Sequence, residues 1–220
     1  MSKKVTAKSA PQRGGGRPSR KQAARIRDDI LDIATDLFFT QGYGATSIES
    51  IAQLAHMSKR TFYHRFTDKA ELFRAVVHRV VEKLRPAQVD GLFEGKDLEA
   101  VLRRLARVML EATLKPNALA LHRLILAEAG RFPELALVVN AEGSRAEGVK
   151  RIAEVLRNAV HPKPNDITAT FAAEQFMQMV VALPQRRALG LGNPMTKPEL
   201  EAWADTTVSL FLHGCLKRAS

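Results

Sequence analysis

The chain has 220 residues, a formal net charge of +11 and 45% hydrophobic residues, which is enough for one large or two modest domains. No stretch approaches the roughly 18 consecutive apolar residues of a membrane-spanning helix, and no apolar run follows the basic N-terminus as in a signal peptide. The single cysteine, Cys215, excludes an internal disulfide and fits a reducing compartment. We therefore expect a cytoplasmic protein without a membrane partner.

The positive charge is concentrated at the N-terminus. Residues 1–27 carry nine Lys or Arg and no Asp or Glu, so the rest of the chain shares only +2. Three consecutive glycines, two prolines and the lack of apolar periodicity predict a disordered basic arm over residues 1–23. Gly16-Arg17-Pro18 is similar to the core of an AT-hook, which makes Arg17 and Arg20 candidate contacts to a DNA minor groove. A solvating tail that is only attracted to phosphates explains the arm equally well.

The first predicted helix begins near Lys21 and ends at two glycines, Gly42 and Gly44. Its apolar residues recur with the helical period and form one face, which consists of Ile26, Ile30, Ile33, Ala34, Leu37 and Phe38. We expect this helix to support the two short helices that follow it.

Residues 46–73 predict two short helices that are joined by a tight turn at His56 and Met57. Thr46 and Glu49 have the spacing of a capping box, so a helix should begin at about Ser47. Its narrow apolar face is formed by Ile48, Ile51, Ala52 and Ala55. Two short helices that must cross form a unit that can present one of them to a DNA groove.

The second helix of this unit, residues 58–64, has Ser58 as its cap and Phe62 as its residue for the core. Its other side chains are polar or charged, and the helix is too short to be stable alone. Lys and Arg can reach guanine edges, whereas Thr, Tyr and His can bond phosphate oxygens. The pattern favours DNA binding by Lys59, Arg60, Thr61, Tyr63 and His64. The alternative is an ordinary polar surface helix.

The rest of the chain also predicts helices, and nothing in it alternates with the period of a strand. Asp68 is the predicted cap of the helix that follows the DNA-binding unit, and Pro86 ends that helix. We expect the helix at 117–129, apolar nearly all round, to be a central buried one. Asp166 and a capping box of Thr196 and Glu199 should begin the last two helices. The predicted helices cover residues 69–84, 98–114, 117–129, 133–159 with a break near Gly143, 166–189 and 197–213.

The segment from Ile30 to Phe73 resembles the helix-turn-helix domain of TetR-type transcriptional regulators. The matching elements, in order, are Ala34, Leu37, Phe38, Gly42, Tyr43, Thr46, Ser47, Ile51, Ala52, Ser58, Lys59, Thr61, Tyr63, Phe66, Lys69 and Leu72. The resemblance implies a DNA-binding domain over residues 24–84 that contacts a double-stranded operator. It also places the amide and the side chain of Lys69 against a phosphate. Among the DNA-binding residues, which include Ser58, we expect Lys59, Arg60 and Thr61 to read bases and Thr46, Ser47, Tyr63, His64 and Lys69 to hold phosphates.

Two positions depart from the pattern of the family. His56 stands where the family usually has a glycine in the turn, and His tolerates a left-handed backbone better than β-branched residues do. Arg60 stands where the family often has a glycine within the recognition helix. We interpret Arg60 as an added side chain that reads bases.

The run at residues 121–139 and the pattern Phe-x-x-Met-x-x-x-Leu-Pro at 176–184 resemble the C-terminal domain of the AefR-like branch of this family. The resemblance implies an all-α protein in which residues 85–220 bind a small-molecule effector and form a homodimer through the last two long helices. It also implies a repressor that is released by its effector. A dimer doubles the contacts, because two recognition helices about 34–36 Å apart meet successive turns of DNA.

By analogy with the family, a group of apolar side chains in the C-terminal half can line the effector site, and most will be ordinary core. Their composition favours a hydrophobic or aromatic effector. The candidates are Leu105, Met109, Phe132, Phe171, Phe176, Met177 and Met179.

The sequence contains no constellation that predicts catalysis or a metal. Its six histidines lack the spacing of metal ligands, and no nucleophile elbow or phosphate-binding glycine loop is present. We expect no cofactor and no enzymatic activity. Two alternatives stay open: a DNA-binding activator or architectural protein without a ligand, and a helical enzyme or adaptor that does not bind DNA.

Overall fold

The computed structural model describes residues 20–85, 91–142, 145–159 and 164–214. Within these ranges all regular secondary structure is helical, which confirms the predicted all-α class. None of the described helices is long and apolar enough to cross a bilayer. The helices are α1 (Arg20–Gln41), α2 (Ile48–Leu54), α3 (Lys59–Tyr63), α4 (Lys69–Leu84), α5 (Leu98–Thr113), α6 (Pro116–Glu128), α7 (Pro133–Glu142), α8 (Arg145–Ala159), α9 (Asp166–Ala188) and α10 (Lys197–His213).

Side-chain caps begin several of these helices where the sequence predicts them. The Ser58 hydroxyl accepts a hydrogen bond from the Thr61 amide at the start of α3, and Asp68 accepts one from the Glu71 amide at 2.7 Å at the start of α4. The capping box of Thr196 and Glu199 is present at α10. Each cap satisfies an amide that has no partner within its own helix.

Two predicted caps are wrong by one residue. The capping box of α2 pairs Ser47 with Ser50, since Thr46 and Glu49 make no such exchange. The side chain that caps α9 belongs to Asn165, which accepts from the Thr168 amide at 2.8 Å, so Asp166 is the first helical residue.

The first hydrophobic core joins α1, α2, α3 and α4 to α6 and α7. Rings from three helices and two loops meet in it. Phe38, Tyr43 and Phe73 lie 5.4–5.6 Å apart between centroids, and Phe62 packs against Phe66. The apolar face predicted for α1 is confirmed, because Ile30, Ala34, Leu37 and Phe38 are buried there, with Ile26 and Ile33 partly buried beside them.

The second core joins α5, α8, α9 and α10 and is rich in alanine. Pro184 lies inside α9 and has no amide proton, so the carbonyl of Val180, one turn earlier, loses its helical partner. The indole of Trp203 on α10 donates a hydrogen bond of 2.9 Å to that carbonyl. Trp203 therefore compensates for the proline and ties the last two helices together.

The prediction that α6 is a central buried helix is wrong. Only Leu121 and Leu124 are buried, and the side chain of Leu126 is 68% exposed. The helix is apolar nearly all round, but it packs by one face against the first core. The exposure of its outer apolar face cannot be predicted from the sequence, because a helix that is apolar all round has the same pattern whether that face is buried or exposed.

Several predicted features lie outside the described residues: the basic arm up to residue 19 with Arg17, the helix end at Pro86, the break near Gly143, and Cys215. The backbone of Arg20 is described as the first residue of α1, but its side chain is not.

Candidate nucleic-acid interface

Helix α3 has only five residues and is held in place by one of them. The ring of Phe62 is fully buried and lies 5.7 Å from the ring of Phe66, which is also buried. Because Phe62 points inward, the residues on either side of it face outward. The side chains of Lys59, Arg60, Tyr63 and His64 are exposed, with Tyr63 at 49%, and Thr61 is half-buried.

The turn between α2 and α3 depends on His56. Its φ of +50° is the only positive φ among the non-glycine residues that the structure describes. The amide of Met57 then donates to the carbonyl of Ala52 at 2.9 Å, which closes the end of α2. The predicted left-handed backbone at His56 is confirmed, and the turn is tight enough to set α3 across α2.

Lys59 and Arg60 differ in what they contact. The Lys59 ammonium lies 2.5 Å from a carboxylate oxygen of Glu49, so an ion pair bridges α2 and α3. The hydrogen bond from Lys59 holds the pKa of Glu49 below its ordinary value, and the same bond raises the pKa of Lys59. The guanidinium of Arg60 makes no ion pair or hydrogen bond with any residue in the described ranges. The guanidinium of Arg60 is therefore free to meet a base edge, whereas any DNA group must compete with Glu49 for the ammonium of Lys59.

Two serines frame the outer surface of this unit. The hydroxyl of Ser47 accepts from the Ser50 amide at 3.0 Å, and that of Ser58 lies 2.9 Å from the Thr61 hydroxyl. Ser47 and Ser58 are both exposed. Their hydroxyls cap helices from positions that DNA can approach.

The expected phosphate contact by the side chain of Thr46 is wrong. This side chain is 1% exposed, and its hydroxyl donates to the carbonyl of Gly42 at 2.8 Å. Thr46 closes the loop between α1 and α2 from within. The sequence pattern cannot show this, because the burial of Thr46 depends on how Gly42 and Gly44 fold the loop back on α1.

The side chain of Lys69 also differs from expectation. Its ammonium donates to the carbonyls of Tyr43 at 2.9 Å and Thr46 at 3.0 Å, and it lies 4.4 Å from the centroid of the Tyr43 ring. Burial lowers the pKa of Lys69, while the carboxylates of Glu128 and Glu134 oppose that decrease. Two of its three N–H donors are thus bonded to carbonyls inside the protein. In this structure the Lys69 side chain contacts the loop and does not point outward toward a phosphate.

Sequence reasoning missed Glu128, the last residue of α6. Its carboxylate accepts from the amide of Gly44, at 3.2 and 3.3 Å to its two oxygens. Gly42 has a φ of +89°, a conformation that favours glycine, and a Cβ there would lie 2.3 Å from one of these oxygens, so the Glu128 carboxylate would have to move. No local signal identifies Glu128, because its partner is 84 residues away in the chain.

The predicted effector residues do not come together in one place. Phe132 belongs to the first core, where its ring lies 5.1 Å from that of Tyr43. Phe171 is 61% exposed, and Phe176 is buried against Phe211 at 5.1 Å. Leu105 and Met109 lie in the second core with Phe176 and Met177, and Met179 is partly buried. The structure therefore does not bring the whole set together, and which of these residues line an effector site stays a prediction.

A groove with a volume of about 560 Å³ lies between the start of α5 and the end of α8. It contains none of the predicted effector residues. Apolar side chains share its wall with charged ones, and its lining consists of Phe93, Gly95, Lys96, Leu98, Val101, Arg151, Glu154, Val155, Asn158 and Ala159.

The exposed cationic helix, anchored by one phenylalanine and set across a second helix by a tight turn, defines a helix-turn-helix DNA-binding protein. The sequence pattern of the family described as bacterial regulatory proteins, tetR family, matches residues 30–76. That of the AefR-like transcriptional repressor, C-terminal domain, matches residues 100–214, which is more than half of the chain.

Individual proteins agree with these family matches. The HTH-type transcriptional regulator AcrR of Shigella flexneri is 29% identical over 163 residues, which cover 71% of this chain and 75% of AcrR. The structure of the flavonoid-responsive regulator FrrA is 33% identical with a TM-score of 0.71, and the match covers 89% of this chain and all of FrrA. That of a TetR-family regulator from Mesorhizobium loti MAFF303099 is 30% identical with a TM-score of 0.66, over 87% and 96% of the two chains.

The chain belongs to the TetR family of bacterial transcriptional regulators. Members of this family bind operator DNA, mostly as repressors, and they are not enzymes. The resemblance found in the sequence is confirmed, and so is DNA-dependent regulation of transcription as the class of function.

Proposed function

We propose that this protein is a ligand-responsive repressor that binds a pseudo-palindromic operator as a homodimer, in the cytoplasm, and leaves the operator when a small molecule binds. The observation that carries the DNA-binding part is α3: Phe62 anchors it, and Lys59, Arg60, Tyr63 and His64 face outward. In this proposal residues 24–84 form the DNA-binding domain, and residues 85–220 bind the effector and the second subunit.

Within the interface, the roles follow from chemistry and exposure. Lys59, Arg60 and Thr61 read base edges, and Arg60 is suited to a bidentate contact with guanine. The exposed hydroxyls of Ser47, Ser58 and Tyr63 and the imidazole of His64 hold phosphates. The basic arm, including Arg17 and Arg20, adds contacts to the adjacent minor groove.

The dimer is supported by apolar side chains that a single chain leaves uncovered. On α9, Ile167 is 83% exposed and Phe171 is 61% exposed, and on α10 Leu210 is also exposed. Pairing these two helices with those of a second chain removes apolar surface from water. Operator binding further requires this pairing to place two copies of α3 on one side of the dimer, about 34–36 Å apart, so that they match successive major grooves.

The effector we propose is an apolar or aromatic molecule. A groove of about 560 Å³ is within the usual size range of ligand pockets. Its wall combines Phe93, Val101 and Val155 with the charged side chains of Lys96, Arg151 and Glu154, which suits an apolar body with a polar substituent. The flavonoid-responsive regulator FrrA, similar over most of this chain, also supports an aromatic effector.

Release requires that the effector bind better to one conformation of the dimer than to another. The conformation it favours is one in which the two copies of α3 no longer match successive grooves. By linkage, operator DNA must then weaken effector binding by the same factor.

A gel shift with DNA from upstream of the protein's own gene, followed by footprinting, tests this proposal. We expect one protected site with two-fold symmetric half-sites about one helical turn apart. A thermal-shift screen then identifies compounds that stabilise the protein, and apolar or aromatic ones should also release the DNA. Absence of any preferred site rejects operator binding, a footprint that no compound alters favours a regulator without a ligand, and exclusively polar binders reject the effector class.

A further inference from the structure

We infer that Lys69 and Glu128 are positioning residues for operator binding, because together they hold the loop of residues 42–46 that leads into the DNA-binding helices. The inference rests on the proposed operator binding and adds to it how the two domains are joined. Lys69 begins α4 and Glu128 ends α6, so the loop is held by two helices at once.

Lys69 binds the loop through its carbonyl groups. The ammonium bridges the carbonyls of Tyr43 and Thr46 at 2.9 and 3.0 Å, which are three residues apart in the chain. It also lies over the face of the Tyr43 ring, where the quadrupole of the ring attracts a cation. A single charge therefore draws both ends of the short segment between Tyr43 and Thr46 toward the start of α4.

Glu128 binds the same loop through an amide. Its carboxylate takes the N–H of Gly44, and charge-assisted bonds of this kind are about twice as strong as neutral ones. The carboxylate also lies close to Gly42, where an added Cβ would be 2.3 Å from one of its oxygens. Phe132 adds a ring contact of 5.1 Å to Tyr43 and lies 3.1 Å from the position of a Cβ on Gly44.

The loop controls where the DNA-binding helices lie. Thr46, whose carbonyl Lys69 holds, is followed directly by Ser47, the cap of α2. The tight turn at His56 then fixes α3 relative to α2. A displaced loop therefore tilts α2 and α3 together. Since Glu128 comes from α6, the position of the reading helix depends on a residue beyond the DNA-binding domain.

A direct contact between the Lys69 ammonium and a phosphate is the competing explanation, and the two differ in measurable ways. A lost phosphate contact weakens binding to every DNA sequence and lowers the salt dependence of log K by about 0.9 per contact. A lost positioning contact weakens the operator only, because only there must two recognition helices match successive grooves. Its salt dependence stays the same, since no phosphate contact is removed.

The experiment uses the full-length chain and two duplexes of about 40 base pairs, long enough for both half-sites: one selected in vitro with wild-type protein, and one scrambled. Lys69→Met and Glu128→Ala are each expected to lower affinity for the selected duplex about tenfold, with unchanged affinity for the scrambled duplex and an unchanged salt slope. Glu128→Gln keeps an acceptor for the Gly44 amide and should bind within about threefold of wild type. Retained binding to the scrambled duplex and an unchanged circular dichroism spectrum show that the variants are folded.

Matched controls are Arg74→Met, which removes an exposed cation from α4, and Glu111→Ala, which removes an exposed carboxylate from α5. Neither should change the ratio of the two affinities. The double variant Lys69→Met/Glu128→Ala should lose about tenfold rather than about a hundredfold, because both residues act through one loop.

The inference is overturned if Lys69→Met weakens both duplexes equally with a flatter salt dependence, or if the two losses multiply in the double variant. It is also overturned if Glu128→Ala leaves operator affinity unchanged. Failure of the wild-type protein itself to prefer any selected duplex rejects the proposed function instead, so the two failures are distinguishable.

Discussion

The two hydrophobic cores of this protein are built from different side chains. Five buried rings close the first core, from Phe38, Tyr43, Phe62, Phe66 and Phe73. The second has only one buried ring, that of Phe176, and instead packs its helices through small residues, which are Ala106, Ala153, Ala169, Ala173 and Ala204.

The difference matches what each region has to do. Closely packed rings restrict the angle between the elements that carry them, so the first core holds a five-residue helix that has no stability of its own. Alanines let long helices approach closely but leave their outer faces for other contacts. On α9 and α10 those faces are apolar and exposed, as the proposed dimer requires.

The two cores do not correspond to the N-terminal and C-terminal halves of the chain. Helices α6 and α7 come after residue 85, yet Leu121, Leu124, Leu135 and Val138 are buried in the first core. The division into domains at residues 84 and 85 stays a prediction. Helices α6 and α7 of the C-terminal half therefore pack directly against the DNA-binding helices and support them.

The largest expected effect comes from a ring of the first core. Phe73→Ala removes a fully buried side chain that lies 5.6 and 5.4 Å from the rings of Phe38 and Tyr43, and should lower the free energy of unfolding by about 3–5 kcal/mol. Urea denaturation followed by circular dichroism measures this loss. Operator affinity should fall with it, because α3 depends on this core.

Phe171→Ala is the matched change on the second region, where the same residue type is 61% exposed. Within one chain it should change the free energy of unfolding by less than about 0.5 kcal/mol, but it should weaken the dimer. Sedimentation at several concentrations measures that. Equal destabilisation by the two phenylalanine variants in the isolated chain would contradict the contrast between the cores.

A smaller effect is expected at the hydrogen bond between the last two helices. Trp203→Phe leaves the carbonyl of Val180 without a donor, because Pro184 supplies none, and should lower the free energy of unfolding by about 1–3 kcal/mol. The loss should be smaller in a Pro184→Ala background, where a backbone amide returns. A loss of the same size in both backgrounds would show that Trp203 contributes only by packing.

Features set by neighbouring residues were predictable from the sequence. Ser58 and Asp68 cap helices because their side chains reach amides three residues ahead, and His56 adopts a positive φ in a turn whose length requires it. The exposure of the other α3 side chains was also predictable, because Phe62 is the only apolar residue of this helix apart from the ring of Tyr63.

Features set by tertiary contacts were not predictable. Thr46 and Lys69 have the residue types of phosphate ligands, but both are turned into the loop of residues 42–46 by partners that only the fold brings near. Nothing in the sequence distinguishes Glu128 from the other acidic residues, because its contact with Gly44 forms only when the fold brings α6 beside the loop. Phe132 was grouped with the effector residues although it packs against Tyr43, because apolar character does not reveal which of two cores a side chain joins.

The most direct test of the central claim, that α3 reads DNA, is the base preference of Arg60→Ala. Dissociation constants for wild-type and variant protein are measured on operator duplexes that differ by single base pairs, with Arg74→Met as the control. We predict that the variant loses about 1–3 kcal/mol of discrimination at one base pair in each half-site and keeps the wild-type preference at the others. A variant that discriminates at every position as the wild-type protein does would contradict the claim.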